Sequence, residues 1–334
     1  MPTFTSSRYT VSAVTVSGST TLAQLVEAMK KQRPDHATLT GGWASIADAG
    51  SNIRVPNIAP PQSDPEIRDS EAHWPQRVIA RYYYFRKDPG LVRANPTGTA
   101  QEHHVLDAVD VMINALPGRH DAFQAMFASS NGAILNGLLR SLRDLARADD
   151  ETASISRDGA DLAFSADLIL WLLVRARDAR ELDGYTTIAD VLATGARDNV
   201  RRTTMLSDGV DFDRPAFLVA VAEIEQLGPV RVELRDEELN AKITADVYPH
   251  GAFSIRKRET HYPDIVDDAE TRIESLQDFA FGLLPKIKDI YTGDSEWVSF
   301  KRAKEIREAA AALIARYEEQ IAALDAAGSD SPIE

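Results

Sequence analysis

The sequence predicts a mainly α protein: a multi-helix globular core, a small β-hairpin, and a C-terminal antiparallel helical hairpin. Three observations predict it. From about residue 74 onward, most apolar residues recur at three- and four-residue spacings, the period of an amphipathic helix. One β element stands out, where residues 230–234 and 239–248 alternate around an acidic turn. The last third carries a seam of Val266, Ala269, Ile273, Leu276, Ala280, Leu283, Ile287 and Ile290, stepping 3 and 4 in turn.

The elements follow in order. Residues 1–72 read as an N-terminal arm. Tyr9 to Ser17 alternates as a short strand, Thr21 to Gln32 reads as a helix, and residues 34–72 are Pro- and Gly-rich without a period. Residues 73–228 read as the helical core. The stretch HWPQRVIARYYYFRKDPG, residues 73–90, predicts a helix opened by Pro75 and stopped by Asp88-Pro89-Gly90. Its aromatics then face the core, leaving Arg77, Arg81 and Tyr84 as an exposed stripe, a composition that suits a protein–protein interface.

A capping box, Thr99-Ala-Gln-Glu102, predicts a helix with the stripe Val105, Val109, Met112, Ile113 and Leu116. Further helices are predicted at Asp121–Ala128, Asn131–Ala148, Asp161–Leu182, Thr187–Thr203 and Pro215–Leu227. The run from Leu162 to Val174 is apolar all round, so it reads as the central helix. Residues 229–262 hold the hairpin, with Val230, Val232, Leu234, Leu239, Ala241, Ile243, Ala245 and Val247 facing inward, and a basic connection. Residues 263–334 hold the helical hairpin and a polar tail; Gly282 and Pro285 predict a kink in its first helix.

The composition excludes several chemistries. The 334 residues contain no cysteine, which removes disulfides, thiolate nucleophiles and sulfur-ligated zinc. Thirty-seven basic against 51 acidic residues give a net charge of −14, so direct coating of nucleic acid is disfavoured. No secretory leader is legible, and the longest apolar run is shorter than the ~20 residues a membrane span needs. The expected setting is cytoplasmic, without a membrane. No phosphate-binding glycine loop, dinucleotide fingerprint, zinc-protease helix or nucleophile elbow is present.

Four weaker signals remain. On a helix, His103, Asp107 and Asp110 would share a face, with Glu102 beside them; imidazole and carboxylate suit a divalent metal, and a solvated polar face has the same composition. Asp208, Asp211 and Asp213 cluster without the spacing of a calcium loop. Residues 185–204 pass for a helix-turn-helix, although Val191 and Arg201 stand where a small and an apolar residue are needed. Arg256, Lys257 and Arg258 form a basic cluster that could grip phosphate or an acidic partner, or simply lie in a solvated turn.

These readings predict a non-catalytic, self-assembling structural subunit (shell, coat, filament or scaffold) whose partners are copies of itself, and which needs no cofactor. Arg77, Arg81, Tyr84, Arg256, Lys257 and Arg258 are its candidate interface residues. The alternatives are a metal-assisted hydrolase built on the Glu102/His103/Asp107/Asp110 face, and a helical adaptor for another protein.

Overall fold

The computed structural model describes residues 8–46, 59–156, 162, 164–197, 203–207, 214–223, 227–249, 252–263 and 268–329. They form a sheet-rich α/β fold, which corrects the expected mainly α class. The chain divides into two compact units. One comprises Met1–Ala163, His250–Arg258 and Asp264–Gly282; the other comprises Phe164–Pro249, Glu259–Pro263 and Leu283–Glu334.

The first unit is built on antiparallel strands in the order β2 (Gly42–Ala44), β4 (Arg77–Lys87), β5 (His104–Leu116), β6 (Arg119–Phe127), β1 (Arg8–Ser17) and β12 (Ala252–Arg256). Two short strands flank this path: β3 (Glu66–Arg68) lies on β4, and β7 (Ser154–Ser156) on β1. One face packs on α1 (Leu22–Lys31) and α3 (Gly132–Arg147), with Leu25, Met29, Leu138 and Leu142 against Val78, Ala80, Val109, Val111, Phe123 and Ala125. A short helix, α2 (Pro89–Ala94), capped by Asp88, follows β4.

Three predicted helices of the core are therefore strands here: residues 75–87, 99–116 and 121–128. The reason is burial on both faces. From Arg77 to Tyr83, and through nearly all of β5, every side chain is enclosed, so neither strand shows alternation. A run of buried apolar residues fits a covered strand and a covered helix equally well by period. The enrichment in Val, Ile and Tyr was the signal for the strand. The capping box does form: the Thr99 backbone N–H donates to Glu102 Oε2 at 2.8 Å, and the Glu102 N–H donates to Thr99 Oγ1 at 3.4 Å. It closes a turn before β5 instead of opening a helix.

The described parts of residues 34–72 are tied down. Trp43 is fully buried, and its indole N–H donates to Ser141 Oγ at 2.9 Å. Arg33 donates to the carbonyls of Trp43 (3.1 Å) and Ser63 (2.6 Å) and pairs with Asp64. Gly42 fits here because a Cβ would meet the backbone at Gln32, Arg33 and Pro34, at 2.3–2.4 Å.

The second unit has strands in the order β11 (Ala241–Tyr248), β10 (Leu227–Asp236), β8 (Thr186–Arg197) and β9 (Thr203–Ser207). The predicted hairpin is present: Val230 pairs with Val247, Val232 with Ala245 and Leu234 with Ile243, all buried. The predicted helix and helix-turn-helix over residues 185–204 are replaced by β8 and β9; Arg201 and the cluster Asp208, Asp211 and Asp213 lie outside the described residues. Helix α4 (Ala166–Asp178) is enclosed as expected, with Leu168 through Val174 all 3% exposed or less.

The C-terminal helices depart from the predicted hairpin. The first is α6 (Asp268–Gln277), a π-helical turn (Asp278–Leu283) and α7 (Leu284–Gly293), so the anomaly begins at Asp278, well ahead of Pro285. The second, α8 (Arg302–Ser329), follows a π-helical turn (Trp297–Lys301). Its main packing is against α5 (Pro215–Ala222), whereas α7 packs on α4, so no antiparallel α7–α8 hairpin assembles among the described residues. No described helix is long and apolar enough to cross a membrane.

Candidate functional site

The structure places the predicted site residues apart. Arg77 and Arg81 lie on β4 at 3% and 2% exposure, so they are not an exposed stripe. Residues of a strand alternate between faces. Tyr84, half-buried, therefore lies on the opposite face, packed against the core of α1 and α3. Asp107 and Asp110 are three apart on β5 and so project to opposite faces of the sheet. His103 lies in the turn before β5, its Nε2 2.6 Å from the Asn95 carbonyl. A shared metal face required a helix, and no group of three or more ligating side chains able to hold a metal occurs among the described residues. Arg256 ends β12, Lys257 and Arg258 continue into a 3-10 turn, and only Arg258 is exposed.

Burial of the arginines creates a polar sheet face that the sequence did not reveal. Directly opposite pairs link Arg77 to Asn114, Asn114 to Gln124, and Gln124 to Thr15, giving one cross-strand row over β4, β5, β6 and β1. These four are 3%, 0%, 1% and 8% exposed for Arg77, Asn114, Gln124 and Thr15. Two rows further along, Arg81 Nε donates to Asp110 Oδ1 at 2.6 Å, with both side chains enclosed. Burial works against the Arg81 charge, but the Asp110 carboxylate holds the guanidinium above its ordinary pKa. Burial, reinforced by Arg68, draws the Arg77 guanidinium below its ordinary value.

Gln277 lies over the intervening row, its Nε2 3.5 Å from Met112 Sδ, immediately before the π-helical turn. That turn is pinned by Asp278, which accepts from Trp74 Nε1 at 2.8 Å and lies 2.8 Å from His73 Nε2. Five buried atoms on this face have no hydrogen-bond partner: Arg77 Nε, Arg81 Nη1, Asn114 Oδ1, Gln124 Nε2 and Gln277 Oε1. An unmatched buried polar group costs about 1–3 kcal/mol, so a cluster of them calls for an explanation.

The second unit holds a satisfied network. Lys286 Nζ donates to Glu238 Oε2 (2.7 Å), Asp236 Oδ2 (3.0 Å) and Thr186 Oγ1 (3.1 Å), and Thr186 Oγ1 donates to Asp236 Oδ2 at 2.6 Å. Burial pushes the Asp236 carboxyl up, yet donation from Thr186, the Leu239 N–H and Lys286 leaves it below the usual carboxylate range. Beside it is a cavity of ≈ 210 Å³ lined by Arg235, Asp236, Asn240, Lys242 and His261, among others. With three donors of Lys286 engaged, this network braces α7 against the strands.

A third feature is a surface. On α8, Ile314, Tyr317, Ile321 and Leu324 are 59%, 55%, 59% and 72% exposed. The first half of the helix is anchored, with Arg177 donating bidentately to Glu305 at 2.9 and 2.7 Å and Ala309 buried. From Ile314 to Ala326 every residue is exposed. The predicted apolar face of this helix is real, but only its N-terminal part finds a neighbour among the described residues.

No protein-family model and no curated protein matches the chain. Among solved structures, it is similar to the di-domain ARO/CYC StfQ from the steffimycin biosynthetic pathway, at 10% identity over 83% of this chain and 96% of that one. The TM-score is 0.17, too low to carry an argument about fold or activity.

Proposed function

We propose that this protein is a non-catalytic, self-associating structural subunit, and that the exposed face of α8 is its contact surface with a second copy. The observation that supports the reading is the spacing of Ile314, Tyr317, Ile321 and Leu324, which are the a and d positions of two consecutive heptads on an outstanding helix. Single exposed apolar residues are ordinary, but a continuous seam marks a contact surface.

The flanking positions favour a parallel copy. Leu313 and Gln320 flank one side of the seam, Glu318 and Asp325 the other. Parallel pairing sets Leu313 against Glu318 of the second copy and Gln320 against its Asp325, with no like charges opposed. Antiparallel pairing brings the Glu318/Asp325 flanks of both copies together. At these exposures each seam residue contributes about 1–2 kcal/mol on burial, against an association cost of about 4–15 kcal/mol. Two heptads therefore give a weak dimer, micromolar or looser.

The shell or coat form of the sequence-based expectation has no support in the structure and is dropped, as is the metal-assisted hydrolase. A cytoplasmic setting belongs to this proposal. Sedimentation equilibrium over a wide concentration range tests it. A reversible dimer that Ile321→Glu with Leu324→Glu abolishes is expected. A monomer at every concentration overturns it, and a monomer that captures a basic amphipathic peptide through the same face would make the protein an adaptor instead.

A further inference from the structure

We propose that the polar face of the first unit's sheet, between Arg77, Asn114, Gln124 and Gln277, is a binding site for a small carboxylate that also carries a hydroxyl or amino donor. The argument is independent of self-association and rests on three observations. The first is location: Arg77, Asn114 and Gln124 are neighbours in one cross-strand row, so their side chains leave the sheet on the same face. Gln277 reaches the same face from the opposite side, at Met112.

The second observation is the unmet hydrogen-bonding capacity. Arg77 Nε and Gln124 Nε2 are donors without acceptors, and Asn114 Oδ1 and Gln277 Oε1 are acceptors without donors. All four side chains are 3% exposed or less, so bulk water does not satisfy them. Buried polar groups are otherwise paired with protein or ordered water, so a set of this kind marks a place where a polar guest can bind.

The third is charge. Arg81 is neutralised at 2.6 Å by Asp110, whereas among the described residues the carboxylate that pairs with Arg77 is that of Glu71, 3.7 Å away and 68% exposed. The guanidinium also lies over the Trp74 ring, 5.2 Å from its centroid, which fixes its plane. A guanidinium edge with an unmet Nε binds a carboxylate side-on, and Gln124 supplies a further donor. Asn114 and Gln277 then accept from the hydroxyl or amino group of the same molecule. The π-helical turn directly after Gln277 fits this role, because such turns break helical regularity where a side chain must be re-aimed.

The probes are glycolate, which has both groups, and ethylene glycol, which lacks the charge. Saturation-transfer NMR on the full-length protein follows binding of each up to about 20 mM, a range suited to ligands with so few atoms. Glycolate is expected to bind and ethylene glycol not to. Arg77→Gln should weaken glycolate at least tenfold, with its fold checked by circular dichroism. Absence of glycolate binding to the wild-type protein overturns the proposal, since that comparison needs no variant. Equal binding of both probes, or unchanged glycolate binding to a folded Arg77→Gln protein, overturns it as well.

Discussion

Asp110→Ala separates the strand from the helix most sharply. On a solvated helix face, removing this carboxylate would change stability by less than about 0.5 kcal/mol. In the structure Asp110 is 0% exposed and accepts from Arg81 Nε at 2.6 Å, with Arg81 itself 2% exposed. The substitution leaves a guanidinium enclosed without its counter-ion, on a face where Arg81 Nη1 already lacks a partner. Breaking a buried pair from one side costs about 3–5 kcal/mol. With a urea dependence of about 2–3 kcal/mol per molar, the first unit's midpoint should fall by about 1–2 M. Urea titration followed by circular dichroism measures it. The double change Arg81→Met with Asp110→Leu removes both charges and should recover most of the loss, because a hydrophobic replacement of similar volume is often neutral. A midpoint shift below about 0.3 M for the single variant would refute the buried strand pairing.

Other outcomes follow from the same structure. Gly42→Ala places a methyl group 2.3–2.4 Å from backbone atoms of residues 32–34, which cannot yield as a side-chain tip would; a loss above about 2 kcal/mol in urea is expected. Thr21→Ala removes an N-cap whose side chain accepts from the Gln24 N–H in a full capping box; this should cost about 1 kcal/mol, read as a small drop in melting temperature. The Lys286 network predicts a pH window. Asp236 sits below its ordinary 3.8, so its contribution is present above that value and is lost as pH falls through the lowered pKa. Lys286 is raised above its ordinary 10.5, because donation to Glu238 and Asp236 outweighs its burial, so its contribution is present below that value and fades above it. Melting temperature against pH should show both limbs, and Asp236→Asn should flatten the acid one; an unchanged acid limb would remove the network from the account.

Local chemistry was legible wherever a pattern is local. The β10–β11 hairpin has one strongly buried face and therefore alternates, so its inward residues Val230, Val232, Leu234, Ile243, Ala245 and Val247 follow from period alone. Helix α3 begins after Asn131, which accepts from the Ala133 N–H and marks the predicted start; α4 lies within the predicted 161–182 but begins only after Ser165, which accepts from the Leu168 N–H. The seam of α8 was readable too, as was the absence of cysteine chemistry.

What only the tertiary structure decided is which long segments pair across the chain. Strands β4, β5 and β6 are covered on both faces, so enclosure erases the alternation that would have announced them. The same enclosure turned Arg77 and Arg81 from supposed surface residues into the polar row beside Asn114 and Gln124. Pairings such as Thr15 with Gln124 span more than a hundred residues, and no local period encodes them. Sequence determines the propensity of each segment; the sheet, by choosing its neighbours, decides which side chains meet.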